Sequence, residues 1–327
     1  MTESLSIQSA INAYLETIKH ARSKNTFETY SYALGFFMQV LDVRNLSPKE
    51  MKVSELSEDA LAWTISALNV YAPTTERLYL AALTGFYEFL AAERLAEINL
   101  PRLRLLIRQR ARRPGQRLPQ FPREDIEKLL QSVESYAQYS VSDEKEYLRA
   151  LRERAFLVVL ADTGLRVHEA CALRRGDVDW NEGRAIIIGK GDKQAVIRFS
   201  TRSMRALKDY LAVRQKLDGA SGRPLPSLPL FARHDKGAGK KVKPITTATG
   251  RNIVNDAVRR ILGEEAVGKI TPHSFRHYFV TTVLRASGNL KMAQELARHS
   301  NIAVTQRYAH LSDDELDRGY YEIFDKK

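Results

Sequence analysis

A segment of sixteen residues, 102–117, carries seven arginines and no acidic residue, and Pro114 and Gly115 interrupt it. Like charges at this density repel one another, so the segment predicts a linker or an exposed basic arm rather than part of a core. It separates two predicted domains, 1–105 and 121–327, with the linker at 106–120. A solvated surface is the usual interpretation of such a run, but the lack of any counter-charge favours contact with a phosphate backbone.

The residues before this segment show helical periodicity. Apolar side chains recur three and four residues apart, as at Tyr30, Leu34, Phe37 and Leu41, and the same spacing returns in residues 79–90. Four amphipathic helices of this kind predict a small bundle, with the aromatic side chains in its core.

The residues after the segment mix helices with a short sheet. Residues 144–162 predict a helix with a fully apolar second half, ended by Gly164. Runs 184–189 and 194–199 are rich in β-forming residues, and the Gly-Asp pair between them suits a hairpin turn. The Gly-, Pro- and Lys-rich residues 219–244 predict a long exposed loop. The predicted fold class is therefore α+β, mainly helical with a small antiparallel sheet.

Composition narrows the possible partners. The net charge of +12 favours polyanions as partners, although charge alone serves solubility equally well.

The single cysteine, Cys171, excludes a disulfide framework and a cysteine-rich zinc site, and its place on an apolar stripe predicts a buried, unreactive thiol. The chain has no apolar run long enough to span a membrane, and residues 1–10 lack a signal-peptide core, so we expect a cytoplasmic protein.

One polar block follows Pro272, a residue that suits the first turn of a helix. The spacing of three between His273 and Arg276 puts both side chains on one helix face. His273 and His277 have a spacing that suits zinc, but no Glu follows the first histidine and Arg276 lies between them. We therefore predict no metal site and interpret His277 as a structural histidine. Taken alone, the block is also typical of a packed histidine beside a surface arginine.

Two further blocks carry similar chemistry. Arg166 comes just after the predicted helix stop, and Glu169 lies one turn further, where it can orient a cation. His299 precedes Tyr308 by nine residues. Each block is a weak signal by itself.

Together the blocks resemble the tyrosine recombinase (phage integrase) family, and within it the Xer-like branch. The family's catalytic residues occur in the same order in this chain, at Arg166, Lys190, His273, Arg276, His299 and the nucleophile Tyr308. Glu169 stands at the family's supporting acidic position. One residue departs from the pattern, because the family usually has Gly before the second histidine and this chain has Arg298. That change is expected to add a phosphate contact or to distort the local helix.

The resemblance implies a helical core-binding (SAM-like) domain plus a catalytic domain, which together form a clamp round DNA, and a C-terminal docking helix at 313–324. It also implies a site-specific recombinase that cuts and rejoins strands through a 3′-phosphotyrosyl intermediate and a Holliday junction. The implied partner is double-stranded DNA with a specific recombination site, bound by a homotetramer or together with a partner recombinase. No cofactor is implied.

These residue types suit phosphoryl transfer. Guanidinium groups meet phosphate oxygens in pairs and stay charged at any working pH, so Arg166 and Arg276 can clamp a phosphodiester. Because they supply the positive charge that Mg²⁺ supplies in nucleases, we predict no metal requirement. His273 and His299 can donate hydrogen bonds or move protons, and the resemblance gives Lys190 the role of protonating the leaving 5′-oxygen. Further DNA contacts are expected from Lys193 and from the basic segment, at Arg102, Arg104, Arg108, Arg110, Arg112 and Arg113.

Two other functions remain open at this point. A type IB topoisomerase shares the nucleophile and arginines, but would relax supercoils with little site preference. A non-catalytic DNA-binding relative would have a degraded site, whereas every catalytic position is filled here. The sequence also leaves open whether residues 313–324 dock in their own domain or in a neighbouring protomer.

Overall fold

The computed structural model describes residues 5–112, 122–136, 143–188, 194–235, 242–299 and 301–306. The chain divides into two compact units, Met1–Gln116 and Arg117–Lys327. In the described ranges, no helix has the length and apolar character needed to cross a membrane.

The first unit is a helical bundle. Its helices are α1 Ile7–Ala21, α2 Lys24–Val43, α3 Asp59–Ala67, α4 Pro73–Ala92 and α5 Leu100–Arg110. Serine hydroxyls cap two of them, because Ser6 accepts a hydrogen bond from the Ser9 amide and Ser23 accepts one from the Thr26 amide. Phe37 of α2 is fully buried, as the helical spacing predicted.

The start of the arginine-rich segment 102–117 is helical and belongs to this bundle. Leu103 of α5 is fully buried against the other helices. Arg102 Nη2 lies 2.6 Å from Asp59 Oδ1, and Arg104 Nη2 lies 3.0 Å from Glu88 Oε1. These arginines face acidic partners on α3 and α4, which are more than ten residues away in sequence.

Arg112 is held more firmly than Arg102 and Arg104. Glu76 of α4 has no exposed surface, and its carboxylate accepts the Arg112 Nε at 2.6 Å and the Arg112 backbone amide at 2.8 Å. The prediction that the arginine run lacks counter-charges is therefore wrong for Arg102, Arg104 and Arg112. Arg108 and Arg110 are exposed at the end of α5, while Arg113 lies outside the described residues.

The second unit joins helices to a small sheet, in agreement with the predicted fold class. The elements are α6 Arg123–Tyr136, α7 Glu144–Thr163, α8 Val167–Ala172, β1 Val178–Asp179, β2 Arg184–Ile188, β3 Gln194–Arg198, α9 Thr201–Gly219, α10 Thr247–Leu262, α11 Pro272–Ser287, α12 Leu290–Ala297 and α13 Ile302–Gln306. The strands are antiparallel in the order β1-β2-β3, with Ile186 opposite Val196. The predicted hairpin turn and the predicted helix at 313–324 lie outside the described residues.

Helix α7 forms the centre of this unit, and its residues 155–161 are all buried against α9, α10 and α11. The segment predicted as an exposed loop is instead buried in its middle, at Leu228–Ala232. The cause is Arg214 of α9, which is completely buried and donates to the backbone carbonyls of Pro229 and Leu230 at 2.8 and 2.9 Å. Cys171 is buried as predicted, and burial raises the pKa of its thiol to about 11.

Candidate active site

Arg166 lies at the turn between α7 and α8. Gly164 ends α7 in the left-handed conformation, with φ 59°, and a Cβ there would come within 2.4 Å of the Phe279 ring, so the turn requires glycine. Glu169 accepts the Arg166 backbone amide at 2.8 Å and the Arg166 Nη1 at 2.9 Å. These two contacts begin α8 and hold the guanidinium in place, while 40 % of the Arg166 side chain remains exposed.

The Glu169 carboxylate is almost fully buried. Burial by itself would raise the pKa of Glu169, but the hydrogen bond from the Arg166 amide and the charges of Arg298 and Arg166 outweigh it and lower the pKa. Glu169 is therefore an anion at neutral pH, as its predicted role of orienting a cation requires.

Backbone carbonyls hold Arg276 in place. Pro272 stands in the first turn of α11, and Phe275 anchors the helix with a fully buried ring. Arg276 is 3 % exposed, and it donates from Nη1 to the Gly164 carbonyl at 2.6 Å and from Nη2 to the Ala297 carbonyl. The same side chain thus ties α11 to the end of α7 and to the end of α12.

The histidines of the site are held neutral. Burial, followed by the charges of Arg276 and Arg166, lowers the pKa of His273 and lowers that of His299 to about 4. The His299 Nδ1 lies 2.8 Å from the hydroxyl of the fully buried Thr305, which orients the ring. At pH 7 the imidazoles are therefore neutral, while the arginines carry the charge.

His277 lies one turn from His273 on α11, and the two rings contact each other edge to face at a centroid distance of 4.5 Å. Burial first, and then the charge of His273, lowers the pKa of His277 to about 4. This packing suits the structural role that the sequence predicted. Within the described ranges, no group of three or more His, Cys, Asp or Glu side chains is placed to hold a metal ion.

Three predicted residues, Arg166, His273 and Arg276, line a single cleft of about 420 Å³. The second histidine, His299, follows the α12 turn whose Ala297 carbonyl binds Arg276. The structure thus brings together four of the six predicted catalytic residues. Lys190 and Tyr308, with Lys193, lie outside the described residues.

Two polar residues of α10 that line the cleft were not predicted from the sequence. Arg251 and Asn255 line the cleft together with Arg166 and Arg276. Their spacing of four on a helix whose other face carries Ile253, Val254 and Ala257 in the core is the signal that would have found them. Both side chains can donate hydrogen bonds to a nucleic-acid backbone.

Arg298, the departure from the family pattern, ends α12 in the left-handed conformation with φ 57°. Glycine adopts this conformation without strain, which is the physical reason for a glycine there. The Arg298 Nη2 lies 3.1 Å from Glu169 Oε2 and 3.4 Å from the Gly164 carbonyl. Arg298 therefore contacts both Glu169, which holds Arg166, and the Gly164 carbonyl, which holds Arg276.

Comparison with known proteins agrees with this geometry. Residues 121–315 match the phage integrase family. The tyrosine recombinase XerC of Myxococcus xanthus is 28 % identical over 290 residues, which cover 88 % of this chain and 89 % of the relative. The tyrosine recombinase XerC of Bacillus pumilus (strain SAFR-032) is 32 % identical over 240 residues, which cover 73 % of this chain and 71 % of the relative.

Among solved structures, the XerH site-specific recombinase bound to a palindromic difH substrate, in a post-cleavage complex, has a similar fold. Its TM-score is 0.66 at 18 % identity, over 100 % of this chain and 92 % of that chain. The family match spans more than half of the chain and contains both anchored arginines. The chain belongs to the tyrosine recombinase (phage integrase) family and is similar to its Xer members.

Proposed function

We propose that this chain is a site-specific DNA recombinase that cuts and rejoins DNA strands through a covalent link between Tyr308 and a 3′-phosphate. One observation carries the proposal. Arg166, held by Glu169, and Arg276, held by the Gly164 carbonyl, line the same cleft as His273. Two fixed cations on one concave surface suit a phosphodiester better than they suit a neutral ligand.

The arginines stabilise the reacting phosphate. Attack on a phosphodiester passes through a crowded state with additional negative charge on the non-bridging oxygens. Arg166 and Arg276 donate to those oxygens, and because their anchors are made before substrate arrives, they need little reorganisation during the reaction. Their charge is permanent, so this contribution does not depend on pH.

The nucleophile must lose a proton during attack. The Tyr308 oxygen forms a bond to phosphorus while the bond from phosphorus to the 5′-oxygen breaks. The phenol has an ordinary pKa of about 10, and a cationic pocket lowers the cost of its ionisation. A neutral imidazole of His273 or His299 can accept the proton, and Lys190 supplies a proton to the leaving 5′-oxygen.

Rejoining reverses these steps on a new strand. A 5′-hydroxyl attacks the phosphotyrosine, and because that bond keeps the energy of the original phosphodiester, no ATP is consumed. Exchange between two duplexes requires four active sites, so we expect a homotetramer on DNA or an assembly with a partner recombinase, acting through a Holliday junction. We expect the protein to act in the cytoplasm.

DNA contacts outside the cleft come from the basic segment and the hairpin. Exposed Arg108 and Arg110 are the described members best placed for phosphate contacts. Arg102, Arg104 and Arg112 already pair with acidic side chains of the bundle, so their main contribution is to fix α5 in place. Arg113 and Lys193 remain proposed contacts.

A type IB topoisomerase is the alternative activity. The curated relatives match along most of both chains and carry the name tyrosine recombinase, which favours recombination. Relaxation of a supercoiled plasmid that lacks a recombination site, at a rate equal to that of a plasmid with a site, would favour the topoisomerase instead.

The test uses a nicked suicide substrate, which releases a short strand on cleavage and traps the covalent adduct. The recognition sequence is first selected from random DNA by binding to the Tyr308→Phe variant. We expect the native protein to form the adduct in excess EDTA, and Tyr308→Phe to bind the same DNA and form none. An adduct that forms with Tyr308→Phe, or a strict need for a divalent metal, contradicts the proposed mechanism.

A further inference from the structure

Arg298 is a buried cation in a backbone conformation that disfavours side chains. Its φ of 57° lies in the left-handed region, where a Cβ is strained. Only 12 % of the side chain is exposed, and burial lowers the pKa of the guanidinium. Within the described part of the chain, its Nε and Nη1 are buried without a hydrogen-bond partner. Strain, desolvation and unsatisfied donors all oppose an arginine at this position, so its contacts must provide a compensating benefit.

Arg298 contacts the two groups that hold the proposed catalytic arginines, the Glu169 carboxylate and the Gly164 carbonyl. The Arg298 Nη2 meets Glu169 Oε2, whose carboxylate also holds Arg166, and it lies near the Gly164 carbonyl, which holds Arg276. A continuous chain of contacts therefore runs from one catalytic guanidinium through Arg298 to the other.

The charges of Arg166, Glu169 and Arg298 support the same role for Arg298. Glu169 alone would neutralise the charge of Arg166, which weakens attraction for a phosphate. Arg298 places a second guanidinium on the same carboxylate. The three side chains together keep one net positive charge behind the cleft, and the lowered pKa of Glu169 keeps its carboxylate ionised and able to hold both arginines.

We propose that Arg298 is a positioning residue for strand cleavage, which ties the Glu169 anchor of Arg166 to the Gly164 anchor of Arg276 and so holds both guanidiniums in one geometry on the phosphate. This inference rests on the proposed function, and it assigns a role to a residue that differs from the family's usual glycine. Arg298 itself does not line the cleft, so its effect passes through Glu169 and the Gly164 carbonyl.

Arg298→Gly is the informative substitution, because it removes the guanidinium and also removes the backbone strain. If Arg298 were merely structural, the cleavage rate of Arg298→Gly should change little, because the backbone strain is removed. A positioning arginine predicts a slower cleavage step at saturating DNA, by about 10-fold or more, as for other residues that orient a reacting group. The dissociation constant for DNA should stay within about threefold, because the cleft arginines are still present.

Arg94→Gly is the matched control. Arg94 also has a positive φ, of 54°, but its side chain is exposed and it lies in the first unit. The same substitution in the same backbone conformation should leave the cleavage rate constant unchanged. Arg298→Lys, which keeps the charge with a single donor group, should recover part of the rate lost in Arg298→Gly.

The rate constant of adduct formation, the DNA dissociation constant and the melting temperature are measured for each variant. A double variant with Glu169→Gln tests the route, since two changes on one pathway are less than additive. Cleavage by Arg298→Gly within twofold of the native rate overturns the inference, as does a fully additive double variant. If the native protein itself forms no adduct, the proposed function fails, and the inference fails with it.

Discussion

Replacing Arg276 with lysine separates the catalytic use of its guanidinium from its structural use. The native side chain spans two carbonyls, of Gly164 and Ala297, with two different nitrogens, and Arg276 also lines the cleft. A lysine ammonium keeps the positive charge but is a single point, so it cannot hold both carbonyls and meet a phosphate in pairs.

The two losses have different sizes. A buried carbonyl left without its donor costs about 1–3 kcal/mol of unfolding free energy. Removal of one preorganised donor from the transition state costs about 2.7–4 kcal/mol, which is roughly a 100- to 1000-fold slower cleavage step. We therefore expect Arg276→Lys to fold, to bind DNA and to form the covalent adduct at least 100-fold more slowly.

Arg214→Lys is the control for stability. Arg214 is also a buried arginine that holds two backbone carbonyls of the same unit, but it does not line the cleft. It should lose at least as much unfolding free energy while native-like cleavage persists. Each unit contains one tryptophan, so in a Trp63→Phe background the emission of Trp180 reports urea unfolding of the second unit alone.

Adduct formation by Arg276→Lys within about threefold of the native rate would refute the reasoning, because the guanidinium would then be needed only for folding. An equally large loss of cleavage in Arg214→Lys would refute it by another route, since general destabilisation would explain both variants.

Three further predictions concern stability. Gly250→Ala should lower the melting temperature of the second unit, with a cost of about 1–3 kcal/mol, because a Cβ there would lie 2.9–3.0 Å from side-chain atoms of Cys171, Val167 and Phe156. Lowering the pH from 7 to 5 should reduce the free energy of unfolding of this unit. Burial holds the pKa of His234 in the folded protein at about 3 and that of His299 at about 4, whereas the value in an unfolded chain is about 6.5. The unfolded state therefore binds more protons than the folded state between pH 7 and pH 5. Urea midpoints at pH 7, 6 and 5 measure how the free energy of unfolding changes with pH, and His234→Asn should make that change smaller. Glu76→Gln should lower the free energy of unfolding of the first unit by about 1–3 kcal/mol. This loss is smaller than that expected for a fully buried ion pair, because the Arg112 side chain is 37 % exposed. Trp63 emission in a Trp180→Phe background follows the unfolding of this unit.

The sequence predicted well those features that depend on local residues. Pro272 at the start of a helix, Gly164 at the end of another and the apolar second half of α7 are determined by neighbours within a turn or two, and the structure agrees with all three. The grouping of Arg166, His273 and Arg276 came from order and spacing along the chain, through resemblance to a family.

Features that depend on distant partners could not be predicted from the sequence. The counter-charges of Arg102 and Arg112 lie more than thirty residues away, so a local count of charges treated the segment as uncompensated. The Gly- and Pro-rich stretch around Leu230 looked exposed because its burial depends on one arginine of α9. The contact of Arg298 with Glu169 joins residues 129 positions apart, and only the folded chain brings them together.

In the proposed mechanism, different side chains of the cleft supply charge and transfer protons. Arg166 and Arg276 stay charged throughout and supply electrostatic stabilisation at every pH. Their charge adds to burial in lowering the pKa of His273 and His299, so the imidazoles are neutral at pH 7 and do not increase the positive charge of the cleft. A bound phosphodiester brings a negative charge that opposes this second effect and moves the imidazoles toward the range where a proton can be accepted and returned. In the proposed mechanism, the histidines therefore become able to transfer protons once the substrate phosphate is bound.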